Sequence, residues 1–547
     1  MTIGEFDYII VGAGSAGCVA ANRLSASGAH RVLLLEAGEN DRWIWIRIPA
    51  GVAKILSGER ALWRFQTEAD EKVAGRQIFW PRGRVLGGSS SVNGMIWVRG
   101  DPLEYDAWRD LGNPGWGFAD VLPYLKRAES YAGGDPAVRG RDGPIRVTEY
   151  ADRDTLTCAW HAAAQESGIP ATDDYNGARF DGVGILQYSV HRGWRCSTAE
   201  AYLRPIMHRS NLQVETGALT QRVLLEGKRA VGVVYRQGPN EFSVRARREV
   251  LLAAGAIQSP QLLEVSGIGN GDALKAAGIE VRHHLPGVGE NLRDHLHVRI
   301  GYETTEPTTL NTVLRSLVRT AAMGARWLFL RRGLMTTASA TVHALARSDA
   351  SLARPDVKIQ LHQLSMATSH YEKASGRQSF ADEIGMDRFP GFSVGCFVLR
   401  PESRGTVHAK SPGMSDPPAI RANYLSAESD VRSQIGALRL IRKLAAAPAL
   451  ARYIVREVRP GPEARDDDAL LEHMRSSGQT SYHPIGTCRM GTDADAVVDH
   501  ALRVHGIEAL RVIDAAVMPT MVSSNTNAPS IMIGEKASDM VLAAASA

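Results

Sequence analysis

The first thirty-six residues alternate between apolar runs and glycine-rich or polar stretches. Residues 8–11 form a continuous apolar run, typical of a parallel strand covered on both faces. A glycine turn follows at 12–17, then a helical stretch at 18–27 and a second apolar run at 31–35 that ends at Glu36. This order of strand, helix and strand predicts a βαβ unit.

The glycine turn has the spacing of a dinucleotide-binding fingerprint. Gly12 would permit the tight turn, Gly14 would let the backbone approach a pyrophosphate, and Gly17 would let helix and strand pack closely. The N–H groups at the helix N-terminus would face the phosphates, and Glu36 would accept hydrogen bonds from a ribose. The fingerprint predicts a bound dinucleotide but does not separate NAD from FAD.

The periodicity of the rest of the chain predicts a mixture of sheets and helices. Short alternating runs from 212 to 246, with turns at 227–228 and 238–240, predict a β-meander. The same pattern predicts strands at 249–254, 356–361, 392–397 and 510–513, and helices at 428–446 and 530–542.

Composition narrows the class of protein. The chain has 547 residues, 44% of them hydrophobic, and a net charge of only +4 without a clustered basic face, so we expect no nucleic-acid partner. Its five cysteines are far apart and include no C-x-x-C pair, which excludes a disulfide framework and predicts no metal site. Buried free thiols in a reducing compartment are the expectation.

One apolar segment raises the question of a membrane. No run of about 18 apolar residues is present, and no signal-peptide pattern precedes the first strand, so we expect a cytoplasmic protein without a spanning helix. Residues 314–330 are apolar but contain Arg315, Arg319 and Arg326. A helix lying on a membrane surface has this pattern, and so does a domain-surface helix with snorkelling arginines, which is commoner.

Residues 83–94 are a dense glycine–serine segment between apolar flanks. Consecutive glycines and hydroxyls leave backbone N–H groups accessible, which suits a loop around a pyrophosphate and a polar ring edge. A flexible loop is the alternative. However, the apolar flanks would bury the segment, and buried backbone groups need partners.

In five segments the chain resembles the glucose–methanol–choline (GMC) family of flavin oxidoreductases, and within it the choline-dehydrogenase-like bacterial branch. The segments follow the family order and are 83–93, 255–269, 286–295, 483–491 and 511–515. The resemblance implies an α/β chain, α+β overall, with a Rossmann-like FAD-binding domain and a discontinuous substrate domain built on an antiparallel sheet with helices. We place the FAD-binding domain at 1–155, 202–300 and 475–547, and the substrate domain at 156–201 and 301–474.

The resemblance also implies which residues hold the FAD. Val92 stands where some relatives attach the flavin through a histidine, so non-covalent FAD is expected, and Gly94 replaces a serine of some choline-oxidising relatives, which argues against choline. The implied FAD-binding residues are Gly12, Gly14, Ser15, Gly17, Glu36, Ala37, Arg84, Leu86, Gly87, Ser91, Asn93, Gly94, Val223, Ala254, Asp514, Ala515, Asn525 and Thr526.

Alcohol oxidation needs a base for the hydroxyl proton and a donor that steadies the developing alkoxide. Histidine is the default base, since its pKa lies near neutrality. The resemblance implies His483 as base and Asn527 as donor, with Asn525 as the second candidate for the donor. A satisfied loop histidine and a helix-capping asparagine are the structural alternatives. We interpret His295, His500 and His505 as structural.

The sequence therefore predicts an FAD-dependent oxidation of an alcohol, primary in the simplest case, to the aldehyde. The electrons would pass to an external acceptor, either O2 or a quinone-like carrier. The alternatives are a flavin lyase or light-driven decarboxylase on the same fold, an NAD-linked dehydrogenase, and a non-catalytic FAD-binding protein. The substrate itself does not follow, although Trp97, Trp327 and Phe397 are candidates for the pocket wall.

Overall fold

A computed structural model describes residues 2–366 and 380–546. The β-strands are β1 Thr2–Val11, β2 Val32–Glu36, β3 Leu62–Gln66, β4 Phe79–Gly83, β5 Glu129–Tyr131, β6 Ile145–Glu149, β7 Gly182–Ile185, β8 Gln187–Tyr188, β9 Val190–His191, β10 Trp194–Arg195, β11 Leu212–Thr216, β12 Ala218–Glu226, β13 Arg229–Gln237, β14 Asn240–Leu252, β15 Ile268–Gly269, β16 His283–His284, β17 Leu296–Thr304, β18 Ala340–Ala346, β19 Val357–His362, β20 Gly391–Val398, β21 Thr406–His408, β22 Ala419–Arg421, β23 Ile454–Arg459, β24 Gln479–Thr480 and β25 Leu510–Val512. The α-helices are α1 Ser15–Leu24, α2 Ile44–Arg47, α3 Val52–Ser57, α4 Pro102–Asp110, α5 Phe118–Ala128, α6 Thr155–Glu166, α7 Gly255–Val265, α8 Gly271–Ala276, α9 Leu310–Val313, α10 Leu317–Leu330, α11 Phe380–Glu383, α12 Glu428–Ala446, α13 Pro448–Ala451, α14 Asp467–Ser477 and α15 Asn527–Ser546.

The first large sheet has the order β11-β2-β1-β14-β13-β12, and β25 pairs with β14. Strand β1 lies parallel to both β2 and β14, and its Ile9 and Ile10 are fully buried, as its apolar sequence predicts. The predicted βαβ unit and the meander strands are confirmed. One prediction is wrong: the last meander strand and the strand at 249–254 are a single strand, β14. Its N-terminal half pairs with β13 and its C-terminal half with β1 and β25.

The second large sheet has the order β23-β17-β20-β19-β18-β7, all antiparallel, with β24 pairing β17. Along β19, Val357, Ile359 and Leu361 pack into an apolar cluster with residues of helices α6 and α12. Because side chains alternate along a strand, Lys358 and Gln360 are on the opposite face. This polar face is turned toward the cavity described below. The domain boundaries given above stay a prediction.

Most of the apolar segment 314–330 forms helix α10, as both interpretations of that segment predict. Leu317 is 90% exposed, Val318 79% and Phe329 78%, and Trp327 is the one buried side chain of the helix. None of the helices in the described ranges is both long enough and apolar enough to cross a bilayer. The thiol prediction is wrong at one position, since Cys158 is exposed on α6 while the other four cysteines are buried.

Candidate active site

A single cavity connects the glycine turn of the first sheet with the polar face of the second. Its narrow end is shaped by backbone: a Cβ at Gly12 would lie 2.5 Å from the Ala253 carbonyl oxygen, and one at Gly88 2.7 Å from Gly14 Cα. Helix α1 begins at this end without a side-chain cap, which leaves its first N–H groups available. A groove walled by backbone at a helix N-terminus suits the pyrophosphate of a dinucleotide.

Glu36 lies at the end of β2 in this groove. Its carboxylate accepts hydrogen bonds from the backbone N–H groups of Ala13 (3.0 Å) and Gly38 (2.8 Å). Burial raises the pKa of the Glu36 carboxyl to about 7. The carboxylate is thus held at the position where the fingerprint predicts a ribose.

Most of the predicted site residues line this one cavity, although they come from segments far apart in the chain. Those that line it are Gly12, Gly14, Ser15, Glu36, Ala37, Asn93, Gly94, Ala254, His483, Asp514, Ala515, Asn525, Thr526 and Asn527. The residues therefore form one continuous surface from the glycine turn to His483, along which the predicted FAD would lie.

The other predicted cofactor residues are not part of the cavity wall; Arg84 is exposed, and the other five are buried: Gly17, Leu86, Gly87, Ser91 and Val223. Gly17 packs under the turn, where a Cβ would lie 1.9 Å from the Gly12 carbonyl oxygen. The Ser91 hydroxyl donates to the Leu86 carbonyl, and the Gly87 N–H donates to the Ala13 carbonyl. The Val223 N–H donates to the Ser266 hydroxyl, and the Arg84 guanidinium lies over the Trp63 ring. These contacts place the six as supports of the wall.

His483 lies in a loop after β24. Its backbone N–H donates to Asp294 Oδ1 at 2.7 Å, and Arg82 donates to the carbonyl of Tyr482 at 2.8 Å. Tyr482 itself has a φ of 65°, in the left-handed region that non-glycine residues rarely adopt. The surroundings therefore fix the loop in a costly conformation, a feature common at functional sites.

The imidazole of His483 belongs to a directed chain of hydrogen bonds. His295 Nε2 lies 3.0 Å from the Leu399 carbonyl oxygen, which can only accept, so Nε2 of His295 carries a hydrogen. In neutral His295 the other nitrogen, Nδ1, then accepts from His483 Nδ1, which lies 2.9 Å away. His483 therefore has its hydrogen on Nδ1 and its lone pair on Nε2, the tautomer that a base at Nε2 requires.

Asn525, and not Asn527, is the partner of that lone pair. Asn525 Nδ2 donates to His483 Nε2 at 2.9 Å, and Asn525 Oδ1 accepts from Lys358 Nζ at 2.8 Å. Asn527 begins α15 and accepts a hydrogen bond from the Ser15 hydroxyl at 2.7 Å. The predicted pairing of His483 with Asn527 is not formed, because Asn525 lies in the loop beside the imidazole while Asn527 starts the helix and is turned toward the glycine loop.

The interpretation of His295 as merely structural is also incomplete, since its ring contacts His483 directly. Burial lowers the pKa of His295 to about 3 and that of His483 well below its usual value, with the positive charge of Lys358 acting in the same direction. Burial lowers the pKa of Lys358 to about 7. Both histidines are accordingly neutral near pH 7, as the hydrogen-bond chain requires.

The far end of the cavity is formed by the second sheet. Its wall includes His297, Arg299, Gln360, His362 and Phe397, which come from β17, β19 and β20. Of the predicted aromatic residues only Phe397 lies there. The indole N–H of Trp97 donates to the Glu129 carboxylate and that of Trp327 donates to the Gly193 carbonyl, so both are held in other parts of the protein.

Lys358, Gln360 and the contact of His295 with His483 are site features that the sequence does not predict. A signal for the first two was present, because polar side chains recur at every second position of a strand whose other face is apolar. Among the described residues, no cluster of histidine, cysteine or acidic side chains is arranged to hold a metal ion.

The fold and the cavity together define a dinucleotide-dependent oxidoreductase with a separate substrate domain. Family models for GMC oxidoreductases match residues 6–297 and 401–534. The chain therefore belongs to the GMC oxidoreductase family, whose members act on CH–OH donors with FAD.

Two curated relatives are similar over nearly the whole chain. The chain is 43% identical to an oxygen-dependent choline dehydrogenase of Photobacterium profundum, over 98% of this chain and 93% of the relative. It is 42% identical to the mitochondrial choline dehydrogenase of Homo sapiens, over 98% and 90% respectively.

Solved structures share the fold. A pyridoxine 4-oxidase from Mesorbium loti is 30% identical, with a TM-score of 0.86 over 97% of this chain and 98% of that one. A formate oxidase of Aspergillus oryzae RIB40, studied for the modification of its FAD, superimposes with a TM-score of 0.90 at 24% identity over 100% of this chain and 99% of its own. Both confirm the mixed α/β fold.

Proposed function

We propose that the protein oxidises an alcohol to the corresponding carbonyl compound, with His483 as general base and Asn525 as hydrogen-bond donor to the substrate oxygen. The observation that supports this most is the directed chain of hydrogen bonds from Leu399 to Asn525, in which the lone pair of His483 Nε2 accepts the Asn525 N–H at the cavity wall. FAD supplies a hydride acceptor when it is bound.

In this proposal His483 takes the proton of the substrate hydroxyl, and Asn525 stabilises the negative charge that develops on its oxygen. A substrate hydroxyl placed between the two side chains would give its proton to His483 Nε2. The oxygen that becomes negative would accept a hydrogen bond from Asn525 Nδ2, and Lys358 keeps this amide oriented by holding its oxygen. The hydrogen bond from the His483 backbone N–H to Asp294 holds the loop segment that carries the imidazole.

The mode of FAD attachment and the electron acceptor follow from less direct observations. Val92 is 6% exposed and its isopropyl group has no nucleophilic atom, which supports non-covalent FAD. The relative from Photobacterium profundum is named oxygen-dependent, which supports O2 as one acceptor. A quinone-like carrier remains the alternative acceptor.

The proposed function predicts that alcohols bleach the flavin. When the holoenzyme is mixed anaerobically with a panel of primary alcohols, the absorbance of the oxidised flavin should fall, and it should return when air is admitted if O2 is the acceptor. Turnover with an artificial quinone in the absence of O2 tests the other acceptor. A flavin that stays oxidised with every alcohol would contradict the proposal and favour a lyase or a decarboxylase.

We propose in addition that helix α10 binds to an anionic membrane surface. Its apolar side chains are exposed, and Arg319 on the same helix is a cation that negatively charged headgroups would attract, whereas Arg326 is paired with Asp152. The double variant Val318→Ser with Phe329→Ser should lower co-sedimentation with phosphatidylglycerol-containing vesicles about tenfold or more, since two exposed apolar side chains are lost.

The matched control carries the same loss of apolar surface elsewhere. Leu103 is 55% and Val455 54% exposed, and neither lies on α10. The Leu103→Ser, Val455→Ser variant should sediment like the wild type. Equal sedimentation of all three proteins, or none of the wild type with these vesicles, would show that α10 does not contact lipid.

A further inference from the structure

The far end of the cavity contains a second polar subsite, separate from His483 and Asn525. Arg299 on β17 and Gln360 on β19 are both paired with Gly395 of the intervening strand β20, so their side chains share one face of the sheet. Both line the cavity, as does His362. Since a Cβ at Gly395 would lie 2.1 Å from His297 Nε2, the glycine leaves room for the His297 ring on the sheet.

Gln360 presents a hydrogen-bond acceptor that nothing in the described part of the chain satisfies. Its Nε2 is 3.0 Å from His362 Nε2, and His362 Nδ1 is 3.1 Å from the Ser339 hydroxyl, so His362 contacts one end of the amide and leaves the other end without it. The side chain of Gln360 is 8% exposed, and its Oε1 has no partner. A buried acceptor of this kind is costly unless a ligand donates to it.

The charges at this end are positive. Arg299 lines the wall, and Lys358 lies behind Asn525 with its ammonium 5.8 Å from the centre of the Phe397 ring. Among the described residues of the cavity wall, the carboxylates are Glu36 and Asp514. Glu36 is in the glycine-turn groove, and Asp514 accepts from the Gly255 N–H and the Ser259 hydroxyl. Neither lies at the substrate end to balance a cation.

We infer that this subsite recognises a second, uncharged hydroxyl group on the substrate, which donates to Gln360 Oε1, and that it disfavours a quaternary ammonium group. The inference rests on the proposed alcohol oxidation and names the substrate class. A trimethylammonium group has no N–H to donate, so it would leave Gln360 Oε1 unsatisfied, and its charge would lie in a wall that includes the Arg299 guanidinium. The subsite therefore differs from what the names of the choline dehydrogenase relatives would suggest.

Three alcohols of nearly equal size test the inference. They are choline, its uncharged isostere 3,3-dimethylbutan-1-ol, and 3-methylbutane-1,3-diol, in which a hydroxyl replaces one methyl group. We expect the ratio of flavin-reduction rate to dissociation constant to be highest for the diol, with each step down the series costing about tenfold or more. A ratio for choline equal to or above that of the isostere would overturn the inference.

Binding alone is measured in parallel, from the change that each alcohol causes in the flavin absorption spectrum of the oxidised holoenzyme. If none of the alcohols reduces the flavin but the diol binds more tightly than choline, the proposed function fails and the subsite stands. If choline binds as tightly as the diol, the subsite is wrong whether or not oxidation occurs.

Two substitutions at Gln360 test separately the hydrogen bond that its amide accepts and the effect of adding a negative charge at this position. Gln360→Leu should remove the advantage of the diol over 3,3-dimethylbutan-1-ol, and Gln360→Glu should raise the preference for choline about tenfold or more, since it adds a carboxylate to the wall. Gln165→Glu, the same change on the exposed surface of α6, is the control and should keep the wild-type order. An unchanged order in both Gln360 variants, with FAD content retained, would contradict the assignment.

Discussion

His483→Ala is expected to lower the rate of flavin reduction by an alcohol about 10²–10⁴-fold, because the substrate hydroxyl loses its general base. The tautomer that places the lone pair on His483 Nε2 is set by the hydrogen bonds that run from His483 through His295 to the Leu399 carbonyl. Stopped-flow measurement of the flavin absorbance under anaerobic conditions gives the rate constant directly. FAD content should remain that of the wild type, since the dinucleotide groove lies at the other end of the cavity.

His500→Ala provides the control for this prediction, because His500 is an exposed residue outside the cavity wall. It should reduce its flavin at the wild-type rate. The assignment of His483 as base is wrong if His483→Ala also reduces at that rate while it retains FAD. A His483→Ala variant that loses its FAD would instead show that His483 is needed for cofactor binding. His483→Gln, which is closer in volume, then distinguishes the two roles: it should retain FAD but still reduce it slowly if His483 is the base.

The parts of the fold that the sequence predicts well are those determined by local pattern. The βαβ unit is one of them, because its apolar strands, glycine turn and terminal Glu36 are contiguous and each has a single physical reading. The helix at Glu428–Ala446 is another, with its 3.6-residue periodicity. Strand β14 is the contrasting case, since its charged residues 247–249 interrupt the apolar pattern while pairing with β1, at Ala246 and Glu249, continues the strand.

The site is predicted less completely, because its contacts join residues distant in sequence. The ring of His295 meets that of His483 across 188 positions, and Lys358 meets Asn525 across 167. The periodicity of apolar and polar residues does not predict contacts between residues this far apart in the sequence. The family resemblance implied His483 and gave the second catalytic role to Asn527, whereas the amide that contacts the imidazole is that of Asn525. Only the geometry of the loop before α15 shows which amide reaches the imidazole.

The Asn525 and Asn527 side chains offer the second large effect, since the structure gives them different tasks. Asn525→Ala should slow flavin reduction about 10²–10³-fold, the typical cost of removing one preorganised donor to a developing oxyanion, while FAD is retained. Asn527→Ala removes only the acceptor of the Ser15 hydroxyl. Because Ser15 begins the helix at the dinucleotide groove, this variant should bind FAD less tightly and change the reduction rate of the FAD-loaded protein less than about tenfold.

A direct comparison of the two alanine variants decides whether Asn525 or Asn527 is the hydrogen-bond donor to the substrate. The rate is measured on FAD-saturated protein by anaerobic stopped flow, and FAD retention is measured separately from the ratio of flavin to protein absorbance after gel filtration. Asn525→Asp tests the donor specifically, because it preserves shape but replaces the N–H with a carboxylate oxygen beside His483 Nε2. A larger rate loss in Asn527→Ala than in Asn525→Ala would restore Asn527 to the catalytic role. Equal FAD loss in both would mean that the two amides act together on the cofactor, and that the hydrogen bond to His483 orients the imidazole without contacting substrate.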